Sequence, residues 1–100
     1  MIPTEDPDII FFYSDTCPAC VAFKPVWEDT EPVLLKKGYK IVRAATGKAE
    51  ALFEKYKVEA VPTVIFLQKD AEGKVTKALV YEGARTKGDI VSFAETNLKK

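Results

Sequence analysis

Five consecutive apolar residues, Ile9-Ile10-Phe11-Phe12-Tyr13, leave a strand no polar face to turn toward water. A β-strand sends alternate side chains to opposite faces, so a run of β-branched and aromatic residues without alternation suits a strand covered on both sides. Such a strand belongs in the middle of a parallel or mixed sheet, and the chain around it must be layered on both faces. A second apolar run, "VPTVIFL" at 61–67, reads the same way. Both are far too short to cross a bilayer, so no membrane span is expected.

The order of elements follows from periodicity and punctuation. After the first strand, "DTCPACVAFKPVWEDTEP" reads as a helix, with Asp15 or Thr16 as cap, Pro18 in its first turn and Val21, Val26 and Trp27 available for the core. Pro25 falls inside that pattern and is expected to kink the helix, and Pro32 to end or restart it with Thr30 as a new cap. "YKIVRAA" reads as a second strand and "GKAEALFEKYK" as a short helix carrying Leu52, Phe53 and Tyr56 on one face. The βαβ order implies parallel pairing of the first two strands through a right-handed crossover. "PTVIFLQ" and "KVTKALVY", joined by the turn "DAEG", form an antiparallel hairpin, so the sheet is mixed. In "TKGDIVSFAETNL", Thr86 and Asp89 have capping-box spacing, and Ile90, Phe93, Ala94 and Leu98 mark an apolar stripe.

One hundred residues suffice for one continuous core, so a single domain over 1–100 is expected. Fifteen Lys and Arg balance fifteen Asp and Glu, which leaves no long-range field to draw nucleic acid or an anionic surface. The opening "MIPTEDPD" is acidic and lacks the basic and apolar regions of a signal peptide, and "NLKK" at the end is no obvious retention signal. A cytoplasmic protein is the expectation.

Both cysteines of the chain, Cys17 and Cys20, stand two residues apart, and the chain contains no histidine. A structural zinc site needs four nitrogen or sulfur ligands, so carboxylates or a second subunit would have to complete one here. A purely structural disulfide would close so small a loop that it adds little stability. Two reduced, buried thiols are a third reading. Against it, Pro18 and the helix start set Cys17 at an exposed turn. There the unpaired backbone N–H groups and the helix dipole stabilise a thiolate, which makes Cys17 a nucleophile near neutral pH. Cys20, one helical turn further in, is placed to attack a mixed disulfide formed at Cys17.

These residues resemble the thioredoxin-fold superfamily over nearly the whole chain. The resemblance rests on "FFYSDTCPACVAFKP", with a proline five residues after the second cysteine, on "VEAVPTVIFL", and on "YEGARTKGDIVSFAETNL". It implies an α/β, thioredoxin-like fold: a central four-stranded mixed sheet with about three helices in the order βαβαββα, without the first strand and helix of a full thioredoxin. It further implies a thiol–disulfide oxidoreductase with Cys17 as nucleophile and Cys20 as resolving thiol. A cis peptide bond at Pro62 would face them, and Thr16, Pro18, Val61, Pro62 and Gly83 would line a substrate groove. The partners it implies are protein disulfides and, as electron donor, a thioredoxin reductase or glutathione. It implies a monomer with no metal and no organic cofactor. A glutathione-dependent glutaredoxin-like enzyme and a non-catalytic binding module on the same fold are the alternatives.

The chain also departs from that pattern. Thioredoxins carry a buried acid six positions before the first cysteine, associated with proton transfer at the second, and Phe11 stands there. Proton transfer at Cys20 must use water or another group. Thr16 replaces the usual tryptophan, and Pro18-Ala19 fills the space between the cysteines. Lys24 and Asp15 are charges that could tune Cys17 in opposite senses, and each also reads as a solvated surface charge.

Overall fold

In the computed structural model, which describes residues 7–98, a four-stranded sheet carries three helices. Residues 1–6 and 99–100, which hold most of the two segments read for targeting signals, lie outside the described residues. The elements are β1 (Ile9–Tyr13), α1 (Pro18–Lys36), β2 (Ile41–Ala45), α2 (Glu50–Lys55), β3 (Thr63–Lys69), β4 (Val75–Val80) and α3 (Lys87–Asn97). The sheet order is β2-β1-β3-β4, with β1 parallel to β2 and antiparallel to β3, and β3 antiparallel to β4. This is the mixed βαβαββα arrangement expected from the sequence.

Burial explains why β1 has no polar face. Ile9 and Phe11 pack on one side of the sheet with Phe23, Trp27 and Leu34 of α1 and Ile90 and Ala94 of α3. Ile10 and Phe12 pack on the other with Ala44, Ile65 and Leu67, and α2 closes that side through Leu52, Phe53 and Tyr56. β3 divides in the same way, Val64 and Phe66 against Ile65 and Leu67. The start of β1 is pinned by Asp8, a buried carboxylate that accepts from the Lys40 N–H at 2.8 Å and pairs with Lys69 at 3.2 Å.

The first helix differs from its sequence reading in three respects. It is capped by Cys17, not by Asp15 or Thr16, and no side chain caps it. The residue before a proline is held out of the α region, so the helix cannot begin ahead of Pro18 and Cys17 stays extended at φ −85°, ψ 121°. Second, α1, which continues through Pro25 as expected, neither ends nor restarts at Pro32 but runs on to Lys36. Both prolines are exposed, as are Val21 and Glu28, whose carbonyls lose their helical partners, so water can serve those carbonyls. Thr30 is therefore no cap; it is buried inside the helix and its hydroxyl donates to the Val26 carbonyl at 2.7 Å. Third, Val21 is 59% exposed rather than in the core. The buried stripe is Cys20, Phe23, Trp27, Thr30 and Leu34, at alternating three- and four-residue spacing, and Val21 falls off it.

At α3, Thr86 is the cap as read: its hydroxyl accepts from the Asp89 N–H and donates to the Asp89 carboxylate at 2.9 Å. The helix end is held by Tyr39, whose hydroxyl donates to the Leu98 carbonyl at 3.0 Å.

Because Phe12 is fully buried and Val42 is 37% exposed on an edge strand, truncation separates the two. Phe12→Ala should cost about 3–5 kcal/mol of unfolding free energy in urea titration, and Val42→Ala no more than about 0.5 kcal/mol.

Candidate active site

β1 ends at Tyr13, and Ser14, Asp15 and Thr16 carry the chain to the start of α1. Proline at the first helical position has no N–H to waste, so the helix starts abruptly and leaves the Cys17 sulfur against the unpaired N–H groups of its first turn. The Cys17 thiol is consequently held below the ordinary thiol range. The backbone N–H of Cys20 is the largest cause, opposed by desolvation and aided by the Cys20 thiol, the Ala19 N–H and the charge of Arg85. Cys20, by contrast, is only 4% exposed. Burial pushes its thiol up, Cys17 adds to that, and the Ser14 N–H, donating to Cys20 Sγ at 3.4 Å, and Arg85 oppose it. Two sulfurs one helical turn apart are thus driven in opposite directions.

The loop before β3 meets this helix start. The Val61–Pro62 peptide bond is cis. The Cys17 thiol donates to the Val61 carbonyl at 3.6 Å across a separation of 44 residues. Val61, Pro62 and Thr63 are half-buried, while Pro18 and Ala19 on the helix are exposed. Thr16 is exposed as well, and its hydroxyl pairs with that of Ser14 at 3.1 Å. Gly83 lies in the β4–α3 loop, where an added Cβ would sit 2.8 Å from the Tyr81 hydroxyl. Its surroundings are the Tyr81 phenol, which donates to the Ala84 carbonyl, rather than either sulfur. The structure brings Cys17, Cys20 and Val61 into one site, with Pro18 at its helix start.

That loop reaches the site through a residue the sequence reading passed over. The guanidinium of Arg85 lies over the Phe23 ring, 6.0 Å from its centroid, and its charge acts on both sulfurs. Lys24 and Asp15 are not among the groups that shift Cys17. They line, with Cys20, a separate small cavity. The clue to Arg85 was its place two residues after Gly83 in "YEGAR", but its approach depends on how the loop returns over α1.

Phe11 and Tyr13, which line one small cavity with Cys20, belong to an aromatic cluster. Phe11 is stacked on Tyr13 at 5.3 Å and packs against Trp27 at 4.8 Å and edge-on to Phe23 at 5.5 Å. The Trp27 indole donates to Glu31 at 3.1 Å, and Glu31 holds Arg43 through two bonds of 3.0 and 2.8 Å. The Arg43 guanidinium keeps the Glu31 carboxyl below the usual range. Among the described residues no group of three or more Cys, Asp or Glu stands close enough to hold a metal ion. Among the same residues no helix is long and apolar enough to cross a membrane.

Comparison with known proteins agrees with this geometry. The family model described as Thioredoxin matches residues 2–96. Thioredoxin Y1, chloroplastic, of Arabidopsis thaliana is 29% identical over 99 residues, covering 99% of this chain and 54% of that protein. Protein disulfide isomerase-like 2-3 of Oryza sativa subsp. japonica is 30% identical over 96 residues, covering 96% of this chain and 21% of that protein. The chain therefore spans about half the length, or less, of these curated relatives. Among solved structures, the J-Trx1 fragment of ERdj5 superposes with a TM-score of 0.74 at 23% identity, covering 92% of this chain and 43% of that one, which shows the shared fold.

The electrostatics make a prediction for alkylation of Cys17 by iodoacetamide as a function of pH. The thiol should react below the pH range of an ordinary cysteine. Arg85→Gln, which removes a cation that favours the thiolate, should move the profile to higher pH, and Lys24→Gln should leave it in place.

Proposed function

The chain belongs to the thioredoxin family, and on that premise we propose that it exchanges protein disulfides through Cys17 and Cys20. Family membership supports a thiol–disulfide oxidoreductase, and the opposed ionisation of two sulfurs one turn apart is the observation that carries the dithiol mechanism. The Cys17 thiolate attacks a substrate disulfide, whose sulfur–sulfur bond breaks; one substrate sulfur leaves with the electron pair and takes a proton. Cys20, once deprotonated, attacks Cys17 Sγ and displaces the second substrate sulfur. The substrate gains two electrons and two protons, and the protein ends with a Cys17–Cys20 disulfide.

The Val61 carbonyl, already within reach of Cys17 Sγ, offers a substrate segment a main-chain acceptor beside the nucleophile. Thr16, Pro18, Val61 and Pro62 make up the surface on which that segment lies. Gly83 serves it indirectly, by leaving room for Tyr81 in the loop that carries Arg85. The reaction as written uses no resident cofactor. A reductase or glutathione returns the pair to the dithiol state, in a monomer acting in the cytoplasm.

Cys20→Ser should trap mixed disulfides with protein partners, released by dithiothreitol, and Cys17→Ser should abolish disulfide reduction. Undiminished turnover by the Cys17→Ser variant overturns the assignment. The cytoplasmic setting requires a reducing pair, with a potential near the roughly −270 mV of a thioredoxin in a glutathione or dithiothreitol buffer. A value of about −180 to −120 mV would instead mark a disulfide donor or isomerase, and the setting would be an oxidising compartment.

A further inference from the structure

Cys20 must lose a proton before it can attack, yet it is almost wholly buried. The groups that act directly on its sulfur do not take that proton. The Ser14 N–H and the Arg85 guanidinium are donors only, and in the mixed disulfide the Cys17 sulfur is no longer a base. Phe11, on the strand beneath, brings a ring packed among other aromatics.

An opening reaches Cys20. A cavity of about 100 Å³ is walled by Cys20, Phe11 and Val21, and its polar lining comes from Tyr13, Ser14 and Asp15, with Lys24 and Arg43 completing it. That is room for several waters with polar partners around them. Neither Cys17 nor Val61 lines it, so a substrate lying along those two residues leaves it open. Val21 is the apolar member of this lining that stands exposed on the helix surface.

We propose that this cavity is the aqueous port through which Cys20 is deprotonated and reprotonated, and that Val21 sets how widely it opens. The inference rests on the oxidoreductase reading above. In the resolving step the Cys20 proton passes to water in the port, and the freed sulfur lone pair forms the bond to Cys17 Sγ. The bond from Cys17 to the substrate breaks, its electron pair leaves on the substrate sulfur, and that sulfur takes a proton from solvent. No oxidant beyond the mixed disulfide is consumed.

The port is surrounded by charges of both signs. Asp15 opposes Lys24, Arg43 is held by Glu31, and Arg85 acts from the β4–α3 side. Hydration of the sulfur, and not a single neighbouring charge, then governs how readily the thiolate forms. The Ser14 N–H and the waters supply hydrogen bonds to it. Val21 is a positioning residue in this scheme, since it touches neither reacting sulfur's partner nor substrate.

The test uses the full chain with Cys17 joined to thionitrobenzoate as a mixed disulfide, and reads release of the coloured thiolate by stopped flow across pH. Val21→Phe, which narrows the port, should move the release profile to higher pH and slow release at pH 7 about tenfold. Val21→Ala should move it to lower pH. Alkylation of Cys17 should keep one and the same pH profile in all three proteins, which a general disturbance of the helix would not allow. Release profiles that superimpose overturn the port. Failure of the unaltered protein to release thionitrobenzoate overturns the oxidoreductase reading itself, so the two failures are distinguishable.

Discussion

The burial of β1 on both faces is the constraint on which the rest of the structure depends. Ile9 and Phe11 call for one apolar layer and Ile10 and Phe12 for another, and no single helix can cover both faces. Fully burying a side chain of this size is worth about 1.5–3 kcal/mol, so α1 and α3 on one side and α2 on the other are energetically obligatory. The same strand also places the chemistry. Its carboxyl end lies beside that of its parallel neighbour β2, with the Tyr13 carbonyl taking both the N–H and the hydroxyl of Thr46. The chain leaves β1 at that shared edge and turns directly into the cysteine-bearing helix.

At that edge a second constraint takes over, and it is steric. Pro18 excludes Cys17 from the helix and needs no hydrogen-bond partner itself, so the helix boundary falls between them. One residue's difference in the start of α1 would turn the Cys17 sulfur away from the N–H groups of Ala19 and Cys20. Backbone geometry, more than any charged side chain, prepares this thiolate. Arg85 adds to an arrangement that the helix start has already made.

Much of this was legible in the sequence because it rests on local rules. The strands, the hairpin after β3, the Thr86 cap and the cysteines at a helix start follow from alternation, turn residues and capping chemistry within a few positions. What escaped reading depends on which side of an element faces the core. Pro32 looks like a break until it is seen on the solvent side of a helix whose buried stripe is intact. Val21 looks like core until the phase fixed by Cys20, Phe23 and Trp27 is known. Arg85 looks like a loop residue until tertiary folding lays it over Phe23. Gly83 has a packing requirement that spacing alone does not reveal, since an added Cβ would meet Tyr81.

The opposed environments of the two sulfurs bear on the direction of electron flow. Stabilising the Cys17 thiolate stabilises the reduced protein, which makes the disulfide a stronger oxidant. Burying Cys20 works the other way, because a thiol that ionises with difficulty gives up little when it enters a disulfide. The potential is therefore a difference between two local effects that share one helical turn. The first is set chiefly by backbone N–H groups at positions 19 and 20, which every residue except proline would supply. The second is set by what surrounds Cys20, and here that includes a cavity it shares with Phe11 and several polar residues. Substitutions at the cavity can retune the pair while leaving the nucleophile's helix start as it is, which makes the Cys20 side the place where a chain of this fold can diverge in redox poise.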